Sequence, residues 1–237
     1  MRKLFFESLN STNTYLKEHY SELEDLTFVF AEYQSEGKGR NGRKWLSDKG
    51  ESLMFSILIK DETLIQKYQS LSVICAYTVL KVLKDYGIED VMIKWPNDVY
   101  VKDCKICGIL LEAVSREMIE ALICGIGLNV NQKEFVGEYN TEPVSMRMLL
   151  NREIEIRELE ERVSESFIEN IEKLKRGYDF HEEISSCDYL KDKEVFALIG
   201  NERKRVSVTG IDKDYSLKVN CDGEDLNISS GEITFHL

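Results

Sequence analysis

The chain has 237 residues, of which 43 are acidic and 31 basic, and its formal net charge is −12. A chain of this length fits one medium domain plus a small one and can bury a sizeable core without external cross-links. The acidic balance argues against a protein that coats nucleic acid, because such proteins gain affinity by neutralising phosphates, so we predict no nucleic-acid partner.

The N-terminal segment and the cysteines indicate the compartment. Glu7 stands where a signal peptide would continue its apolar core, and nowhere do about 18 apolar residues follow one another as in a membrane-spanning helix. We therefore expect a cytoplasmic protein that does not associate with membranes. The six cysteines are scattered, most of them in apolar segments, and we expect them to be reduced and unpaired.

The first elements are a helix and two strands. Residues 10–13, with the sequence Asn-Ser-Thr-Asn, precede a helical pattern. Their side chains can accept hydrogen bonds from the free N–H groups of a first turn, which predicts a helix start. Residues 27–34 and 52–59 are rich in apolar and aromatic side chains and predict two strands. The segment between these strands is a loop.

That loop, residues 36–45, is called the glycine loop here because it concentrates three glycines, four cationic side chains and one indole. Glycines let the backbone approach an anion closely, while Lys and Arg supply charge and Trp offers a flat stacking face. We therefore interpret the segment as the nucleotide-binding loop of an enzyme. Its glycines are Gly37, Gly39 and Gly42, its cations Lys38, Arg40, Arg43 and Lys44, and its indole Trp45.

Two common phosphate-binding motifs do not fit the glycine loop. Gly37, Gly39 and Gly42 have the spacing of the dinucleotide fingerprint, but residues 43–50 lack the apolar-periodic helix that this fingerprint requires. A P-loop would have Lys and a hydroxyl residue after its last glycine, where this chain has two cationic residues. A solvated basic turn without a ligand remains the structural alternative.

The middle of the chain predicts a core helix followed by strands. Residues 65–86 carry apolar side chains at helical spacing, and Gly87 stands where a C-terminal cap belongs. Short runs divided by turn-forming or charged residues predict the remaining elements. These are strands at residues 91–94, 99–102, 106–114 and 119–130, and helices at residues 145–150 and 157–175.

After Cys187 the pattern changes to short alternating runs. They occupy residues 195–199, 203–211, 216–219 and 225–228, and turn-forming pairs such as Gly200-Asn201 and Asp222-Gly223 separate them. The change from helical to strand periodicity predicts two domains. We expect a ligand-binding domain at residues 1–186 and a small β-barrel at residues 187–237.

Polar residues also cluster between the middle strands. Residues 94–98 read Lys-Trp-Pro-Asn-Asp, which as a turn alone would be an ordinary hairpin connection. Lys105 is different, because it lies in a strand expected to be half buried, where an ammonium group needs an anionic partner. Asn129 lies in the segment of residues 125–131, Gly-Ile-Gly-Leu-Asn-Val-Asn, where it either reads a base edge or ends a strand.

Cys104 and Cys107 have the spacing of a redox or zinc motif. No second cysteine pair lies near them in the sequence, and His19, His181 and His236 are far apart. We therefore predict no metal site built from these residues and no thiol chemistry.

Five segments resemble the signatures of the biotin protein ligases and occur in the order found in that family. They are Ser-Thr-Asn at residues 11–13, Gly-Lys-Gly-Arg-x-Gly-Arg-x-Trp at 37–45, Lys-Trp-Pro-Asn-Asp at 94–98, Lys-x-x-Gly-Ile-Leu-x-Glu at 105–112 and Gly-x-Gly-x-Asn at 125–129. The resemblance continues to Ser230-Gly231-Glu232-Ile233, which looks like the family's C-terminal domain. Only ten residues precede Ser11, so we expect a form without the DNA-binding domain of some members.

The resemblance implies an α+β fold. A mixed β-sheet flanked by helices, the catalytic fold of biotin and lipoate ligases and similar to class II synthetases, would carry a small C-terminal Src-homology-three-like β-barrel. It also implies activation of biotin by ATP, with Mg²⁺, to biotinyl-5′-AMP. Transfer to a lysine of a biotin carboxyl carrier domain, such as that of acetyl-CoA carboxylase, would follow. Whether the enzyme is a homodimer is left open.

The resemblance further implies roles for single residues. Lys105 matches the family's catalytic lysine, and we expect it to act with Arg40 on the biotin carboxylate and the α-phosphate. The expected biotin-binding residues are Ser11, Thr12, Asn13, Gln34, Lys38, Gly39, Arg40, Lys105 and Gly108. The expected residues for ATP and the adenylate are Gly37, Arg40, Arg43, Trp45, Asn97 and Asn129. Asp98 is expected to orient its turn or to assist with magnesium.

Two alternatives remain at this point. A lipoate or octanoate ligase or transferase shares the fold, but polar Ser11, Thr12 and Gln34 favour a ureido ring over an alkyl chain. A non-catalytic ligand-binding or regulatory module is the second, and Lys105 together with the glycine loop argues against it. Binding of biotin compared with lipoate would test the first alternative, and ATP-dependent release of pyrophosphate the second.

Overall fold

The computed structural model of the chain describes residues 1–199, 202–231 and 233–235. The predicted turn at Gly200-Asn201, the motif residue Glu232 and His236 lie outside the described residues. The strands are β1 (Arg2–Phe6), β2 (Thr27–Ala31), β3 (Ser52–Ile59), β4 (Val91–Lys94), β5 (Asp98–Val101), β6 (Cys104–Ser115), β7 (Ile119–Asn129), β8 (Glu194–Ile199), β9 (Glu202–Ile211), β10 (Leu217–Cys221), β11 (Glu224–Ile228) and β12 (Ile233–Thr234). The helices are α1 (Thr12–His19), α2 (Glu62–Ile65), α3 (Tyr68–Asp85), α4 (Met146–Leu150), α5 (Ile156–Lys175) and α6 (His181–Ser185).

The larger sheet has seven strands in the order β1-β2-β3-β7-β6-β5-β4. Only the pairing of β1 with β2 is parallel among the described strands, so the sheet is mixed. Its longest pairings join β7 to β3 and to β6. Every residue of β3 is buried. The prediction of a mixed sheet is confirmed.

Helices cover both faces of this sheet. On one face α3 and α5 pack into a large apolar cluster that includes Phe55 and Phe167, whose rings meet edge to face at 5.7 Å. On the other face α1 inserts Leu16 into a small cluster with Val29 and Ile123. Because each face buries apolar side chains, the sheet is rigid enough to hold polar groups at its exposed end in fixed positions.

The second sheet has five strands in the order β11-β10-β9-β8-β12, all antiparallel. Edge strands β11 and β12 do not pair with each other among the residues that the structure describes, so this sheet is open. The closed barrel predicted from the sequence is therefore not confirmed. Closure would need paired edges, and β12 contributes only the short stretch Ile233–Thr234.

The two sheets are joined by hydrogen bonds as well as by apolar contacts. Ile93 donates its N–H to the Cys187 carbonyl at 2.7 Å and accepts from the Tyr189 N–H at 2.9 Å. The indole Nε1 of Trp95 donates to the Tyr215 carbonyl at 2.9 Å. One apolar cluster includes side chains of both sheets. The turn before β5, which carries the Lys-Trp-Pro-Asn-Asp signature, is thus anchored from the C-terminal side of the molecule.

Within the described part of the chain, no helix has the length and apolar character needed to cross a membrane.

Candidate active site

A pocket opens where the start of α1, the glycine loop, the turn before β5 and the facing strands β6 and β7 meet. It is lined by all but two of the site residues predicted from the sequence: Ser11, Thr12, Asn13, Gln34, Lys38, Gly39, Arg40, Arg43, Trp45, Asn97, Lys105 and Gly108. Asp98, expected to orient its turn or to assist with magnesium, and the loop cation Lys44 also line it. Further lining residues without a predicted role include Asn41, Lys94, Gly125, Gly127 and Ile233. Gly37 and Asn129 are the two that do not line it.

The floor of the pocket is a patch of sheet without side chains, formed by Gly108 and Gly127, which pair across β6 and β7. The indole of Trp45 lies directly on it. A Cβ added at Gly127 would come within 2.5 Å of the Trp45 ring, and one at Gly108 within 3.0 Å. Glycine is therefore required at Gly127 for this contact. We call Gly108 and Gly127 the glycine floor.

The glycine loop has a hairpin-like backbone that explains the position of Gly37. Trp45 donates its N–H to the Gly37 carbonyl at 2.9 Å, and Gly39 donates to the Arg43 carbonyl at 2.8 Å. A Cβ at Gly37 would lie 2.3 Å from the Trp45 carbonyl oxygen. Gly37 thus permits the two arms of the loop to approach each other, and it does not face the pocket.

Arg40 links the glycine loop to two other parts of the molecule. Its Nη1 donates to Asn97 Oδ1 at 2.7 Å, and its Nη2 donates to the Gly231 carbonyl of the C-terminal segment at 2.7 Å. Asn97 is itself fixed, because its Nδ2 donates to the Ile109 carbonyl at 3.0 Å. The guanidinium therefore has a defined place at the mouth of the pocket and keeps further N–H donors for an anion.

Lys105 has the anionic partner that its half-buried strand led us to expect. Its Nζ lies 2.8 Å from Asp98 Oδ1, with side-chain exposures of 29% and 16%. The same Nζ lies 5.9 Å from the centre of the Trp45 ring. Since both partners are largely shielded from water, their charges act on nearby groups more strongly than surface charges would. No pattern in the sequence predicted that Asp98 is this partner.

Asn129 supports Lys105 from below. Its buried Nδ2 donates to the Val144 carbonyl at 3.1 Å and, at the limit of a hydrogen bond, to the Lys105 carbonyl at 3.5 Å. The backbone of Lys105 is also held by Glu142 and Val144. Of the two readings of Asn129 given by the sequence, the structure favours the end of a strand over contact with a base.

A buried polar group joins the start of α1 to the sheet. Gln34 Oε1 accepts from the Thr12 N–H at 2.7 Å. The hydroxyl of Ser56, in β3, lies 2.6 Å from Thr12 Oγ1 and 2.5 Å from Asn13 Oδ1. Sequence reading missed Ser56, although a hydroxyl in the middle of an apolar strand is a signal, because a buried hydroxyl needs partners.

The polar group continues to a charged pair. Asn13 Nδ2 donates to Glu112 Oε2 at 2.7 Å, and Lys17 Nζ donates to Glu112 Oε1 at 2.5 Å. Burial raises the pKa of the Glu112 carboxyl, but the hydrogen bonds from Lys17 and Asn13 outweigh burial and leave that pKa below its usual value. Glu112 is therefore ionised at neutral pH.

Oxygen ligands for a metal are few. The described residues contain no group of three or more His, Cys, Asp or Glu side chains arranged to hold a metal ion. Asp98 is the single carboxylate among the described residues that line the pocket. One carboxylate fits a hard cation only where the substrate supplies further oxygen atoms, as phosphates do for Mg²⁺.

The chain is similar in sequence to several biotin ligases. The chain is 37% identical over 123 residues to the bifunctional ligase/repressor BirA of Escherichia coli, which covers 52% of this chain and 38% of that protein. It is 34% identical over 131 residues to biotin–protein ligase 2 of Arabidopsis thaliana, covering 53% of this chain and 40% of that one. The chain thus matches well under half the length of these relatives.

A solved structure extends the likeness to nearly the whole chain. The biotin protein ligase of Aquifex aeolicus, in complex with biotin and ATP, superposes with a TM-score of 0.84 at 28% identity and covers 98% of this chain and 97% of that one. The model of the biotin/lipoate A/B protein ligase family matches residues 5–129, which include the glycine loop, Lys105 and the glycine floor. Since that match takes in more than half of the sequence, the chain belongs to the biotin/lipoate A/B protein ligase family.

Proposed function

We propose that the protein is a biotin protein ligase. It activates biotin with ATP to give biotinyl-5′-AMP and pyrophosphate, and it then transfers the biotinyl group to a lysine of a biotin carboxyl carrier domain. The observation that carries this proposal is the meeting of Lys105 and Arg40 with the polar start of α1 around one pocket. Relatives named as biotin ligases support the same conclusion.

The first step joins two anions. An oxygen of the biotin carboxylate attacks the α-phosphorus of ATP, and the bond from that phosphorus to the bridging oxygen breaks as pyrophosphate leaves. Lys105 exchanges Asp98 for these anions and offsets their repulsion, and Arg40 neutralises phosphate oxygen atoms. Both cations are held in place before the reaction, so little reorganisation is needed at the transition state.

Biotin is favoured over lipoate by the hydrogen-bonding groups at the start of α1. Gln34 Oε1 already accepts from the Thr12 N–H, which fixes this oxygen as an acceptor beside the pocket. Biotin carries two N–H donors on its ureido ring, whereas the dithiolane ring of lipoate has none. A site that offers acceptors to a ligand without donors leaves them unpaired, which weakens binding.

Magnesium fits this pocket only together with ATP. Asp98 would hold the ion with phosphate oxygen atoms, and the ion would supply positive charge to the leaving pyrophosphate. The same carboxylate pairs with Lys105.

The remaining features of the proposal concern the whole protein. Residues 1–186 form the catalytic domain, and residues 187–237 form a C-terminal domain of the Src-homology-three-like class. The antiparallel order β11-β10-β9-β8-β12, in which β12 returns to pair with β8, supports such a domain. The enzyme works in the cytoplasm on a carrier domain, and a homodimer is the assembly to test by light scattering.

The decisive experiment is biotinylation of an acceptor. The protein is incubated with biotin, ATP, Mg²⁺ and a biotin carrier domain, and the mass of the acceptor is measured. We expect a gain of one biotinyl group that depends on ATP, with release of pyrophosphate. Replacement of biotin by lipoate is the matched control. An unmodified acceptor, or equal modification by lipoate, would refute the proposal.

A further inference from the structure

We propose that Glu112, which does not line the pocket, is a positioning residue that sets the direction of the hydrogen bonds leading to it. Through Asn13 and Ser56 this carboxylate makes the Thr12 hydroxyl present an acceptor, and not a proton, to the ligand. The inference rests on the proposed function, because it explains how the site selects the N–H groups of a ureido ring. None of the three relaying groups has to move for this effect.

The first step is the orientation of Asn13. Its Nδ2 lies 2.7 Å from Glu112 Oε2 and 3.4 Å from the Leu110 carbonyl oxygen. An ionised carboxylate and a carbonyl can only accept, so the amide nitrogen must face them. The amide oxygen Oδ1 therefore points the other way, towards Ser56, where it can only accept.

The second step is the single proton of Ser56. Its Oγ lies 2.5 Å from Asn13 Oδ1 and 2.6 Å from Thr12 Oγ1, and a hydroxyl can donate only once. Since Asn13 Oδ1 has no proton, Ser56 must donate to it. The Thr12 hydroxyl must then donate to Ser56 Oγ, because two oxygen atoms 2.6 Å apart with no proton between them would repel each other. Ser56 is fully buried, so water does not relax this order.

The third step is what the pocket receives. Thr12 Oγ1 has one proton and two possible acceptors, and it gives this proton to Ser56 Oγ at 2.6 Å and not to Gln34 Oε1 at 3.2 Å. Its lone pairs stay available, and Gln34 Oε1 is fixed as an acceptor by the Thr12 N–H. Thr12 and Gln34 both line the pocket. Two acceptors side by side are complementary to N–H donors and repel a ligand that presents oxygen there.

Lys17 makes the device sensitive to one substitution. Its ammonium takes one oxygen of Glu112 and leaves the other for Asn13. In Glu112→Gln the side chain keeps its shape but has one oxygen and one N–H₂ group. The Lys17 ammonium can donate only to the glutamine oxygen, so the new N–H₂ group faces Asn13. The Asn13 amide then rotates so that its oxygen accepts from this N–H₂ group. Each proton in the series then reverses, and the Thr12 proton turns to Gln34 Oε1 or to the ligand, so the pocket offers one acceptor fewer to the ureido N–H groups.

Calorimetric titration with biotin tests this reversal. We expect Glu112→Gln to weaken biotin binding on the order of tenfold and to leave ATP binding unchanged, because only the ureido contact is altered. Two analogues, in which one or the other ureido N–H is replaced by a ring oxygen, provide a second readout. In the wild-type protein at least one of them binds far more weakly than biotin, and in Glu112→Gln that difference shrinks on the order of tenfold.

Lys17 supplies the matched control. Lys17→Met alone should bind biotin nearly as the wild type does, because the ionised Glu112 still offers only acceptors to Asn13. In the double variant Lys17→Met/Glu112→Gln, no ammonium claims the glutamine oxygen, which can therefore face Asn13. We expect this double variant to recover most of the lost affinity, which a merely structural role of Glu112 would not produce.

The outcomes separate the two proposals. A wild-type protein that does not bind biotin would overturn the proposed function. A wild-type protein that binds biotin, with Glu112→Gln of equal affinity and equal analogue preference, would overturn only the positioning role of Glu112. Equal weakening in Glu112→Gln and in the double variant would do so too, since it would indicate damage to the fold.

Discussion

Lys105 concentrates the proposed chemistry in one side chain that is held by a carboxylate on one side and flanked by an indole on the other. The ion pair with Asp98 at 2.8 Å keeps its ammonium at the pocket, where partial shielding from water strengthens its field. Asp98 thus holds the Lys105 ammonium at the place where the substrates would contact it. A group already in place lowers the barrier more than one that has to be recruited.

Replacement of this lysine should therefore affect rate and not folding. We expect Lys105→Met to lower the rate of adenylate formation about 10²–10³-fold, measured as pyrophosphate release in a single turnover. The unfolding temperature should change by no more than about 2–4 °C, since the side chain is partly exposed. The exposed Lys133 provides the control substitution Lys133→Met. A near-normal rate in Lys105→Met would exclude the catalytic role.

Glu160, on α5, gives a prediction about pH. Burial raises the pKa of its carboxyl to about 7, against the opposing effect of Arg157 and Lys3. Between the unfolded value of 4.5 and this folded value, the native state binds more protons than the unfolded state, so stability falls as pH rises. Below that window both states are protonated, and the carboxyl costs nothing.

Glu160→Gln should remove this penalty. We expect it to raise the free energy of unfolding by about 1–2 kcal/mol near pH 8 and by almost nothing near pH 4, as followed by urea denaturation at both pH values. Glu165→Gln, an exposed position on the same helix, is the control. A gain that is equal at both pH values would contradict the argument.

Some of the site could be predicted from sequence and some could not. The need of Lys105 for an anionic partner followed from its place in a half-buried strand, since a charge there must be compensated. That Asp98 is this partner, and that Ser56 underlies Thr12, depends on strand register and on contacts between segments distant in sequence. No local pattern encodes those distances. For the same reason the sequence did not predict that the Asn129 amide donates to a backbone carbonyl.

At the scale of elements, the glycine loop differs from the strands around it. It is closed by its own hydrogen bonds and by Arg40, yet most of residues 40–44 are exposed. The long elements were predicted well, because a helix such as α3 (Tyr68–Asp85) carries its period over many residues. The edge strand β1 was missed, since it is short and is stabilised by parallel pairing with β2.

The exposure of the glycine loop predicts its response to ligands. We expect trypsin to cut between Gly37 and Gly50 in the protein alone, and biotin plus ATP to suppress this cutting, because a loop that closes over the reactants leaves little backbone for a protease. Peptide masses over time give the rate at each bond. Cutting after the exposed Lys133 should not change and serves as the internal control. Undiminished cutting in the loop would argue against closure.

At the scale of the whole molecule, the C-terminal sheet shares its apolar core with the larger one. A single apolar cluster runs from Phe28 in β2 to Ile233 in β12, and Trp95 and Tyr215 connect the two sheets through a hydrogen bond. The change of sequence period at Cys187 predicted a domain boundary, and apolar contacts cross this position. The spacing of apolar residues in the sequence indicates whether a segment is a helix or a strand. Cooperative unfolding depends instead on whether the elements share one apolar core.

A shared core predicts joint unfolding. We expect one calorimetric transition, with calorimetric and van't Hoff enthalpies that agree, because neither sheet can open without exposing apolar surface of the other. Scanning calorimetry at several protein concentrations checks this. Two resolved transitions would mean that the C-terminal sheet unfolds by itself.

The glycine floor has a consequence for how any ligand enters. The backbone at the glycine floor is not covered by side chains of its own strands, and the indole of Trp45 from the glycine loop packs on it. The buried Nε1 of Trp45 has no hydrogen-bond acceptor in the described part of the protein. A ligand that binds against Gly127 must displace this indole. Binding of the ligand and rearrangement of the glycine loop are therefore coupled. The measured ligand affinity includes the free energy needed to move the Trp45 side chain.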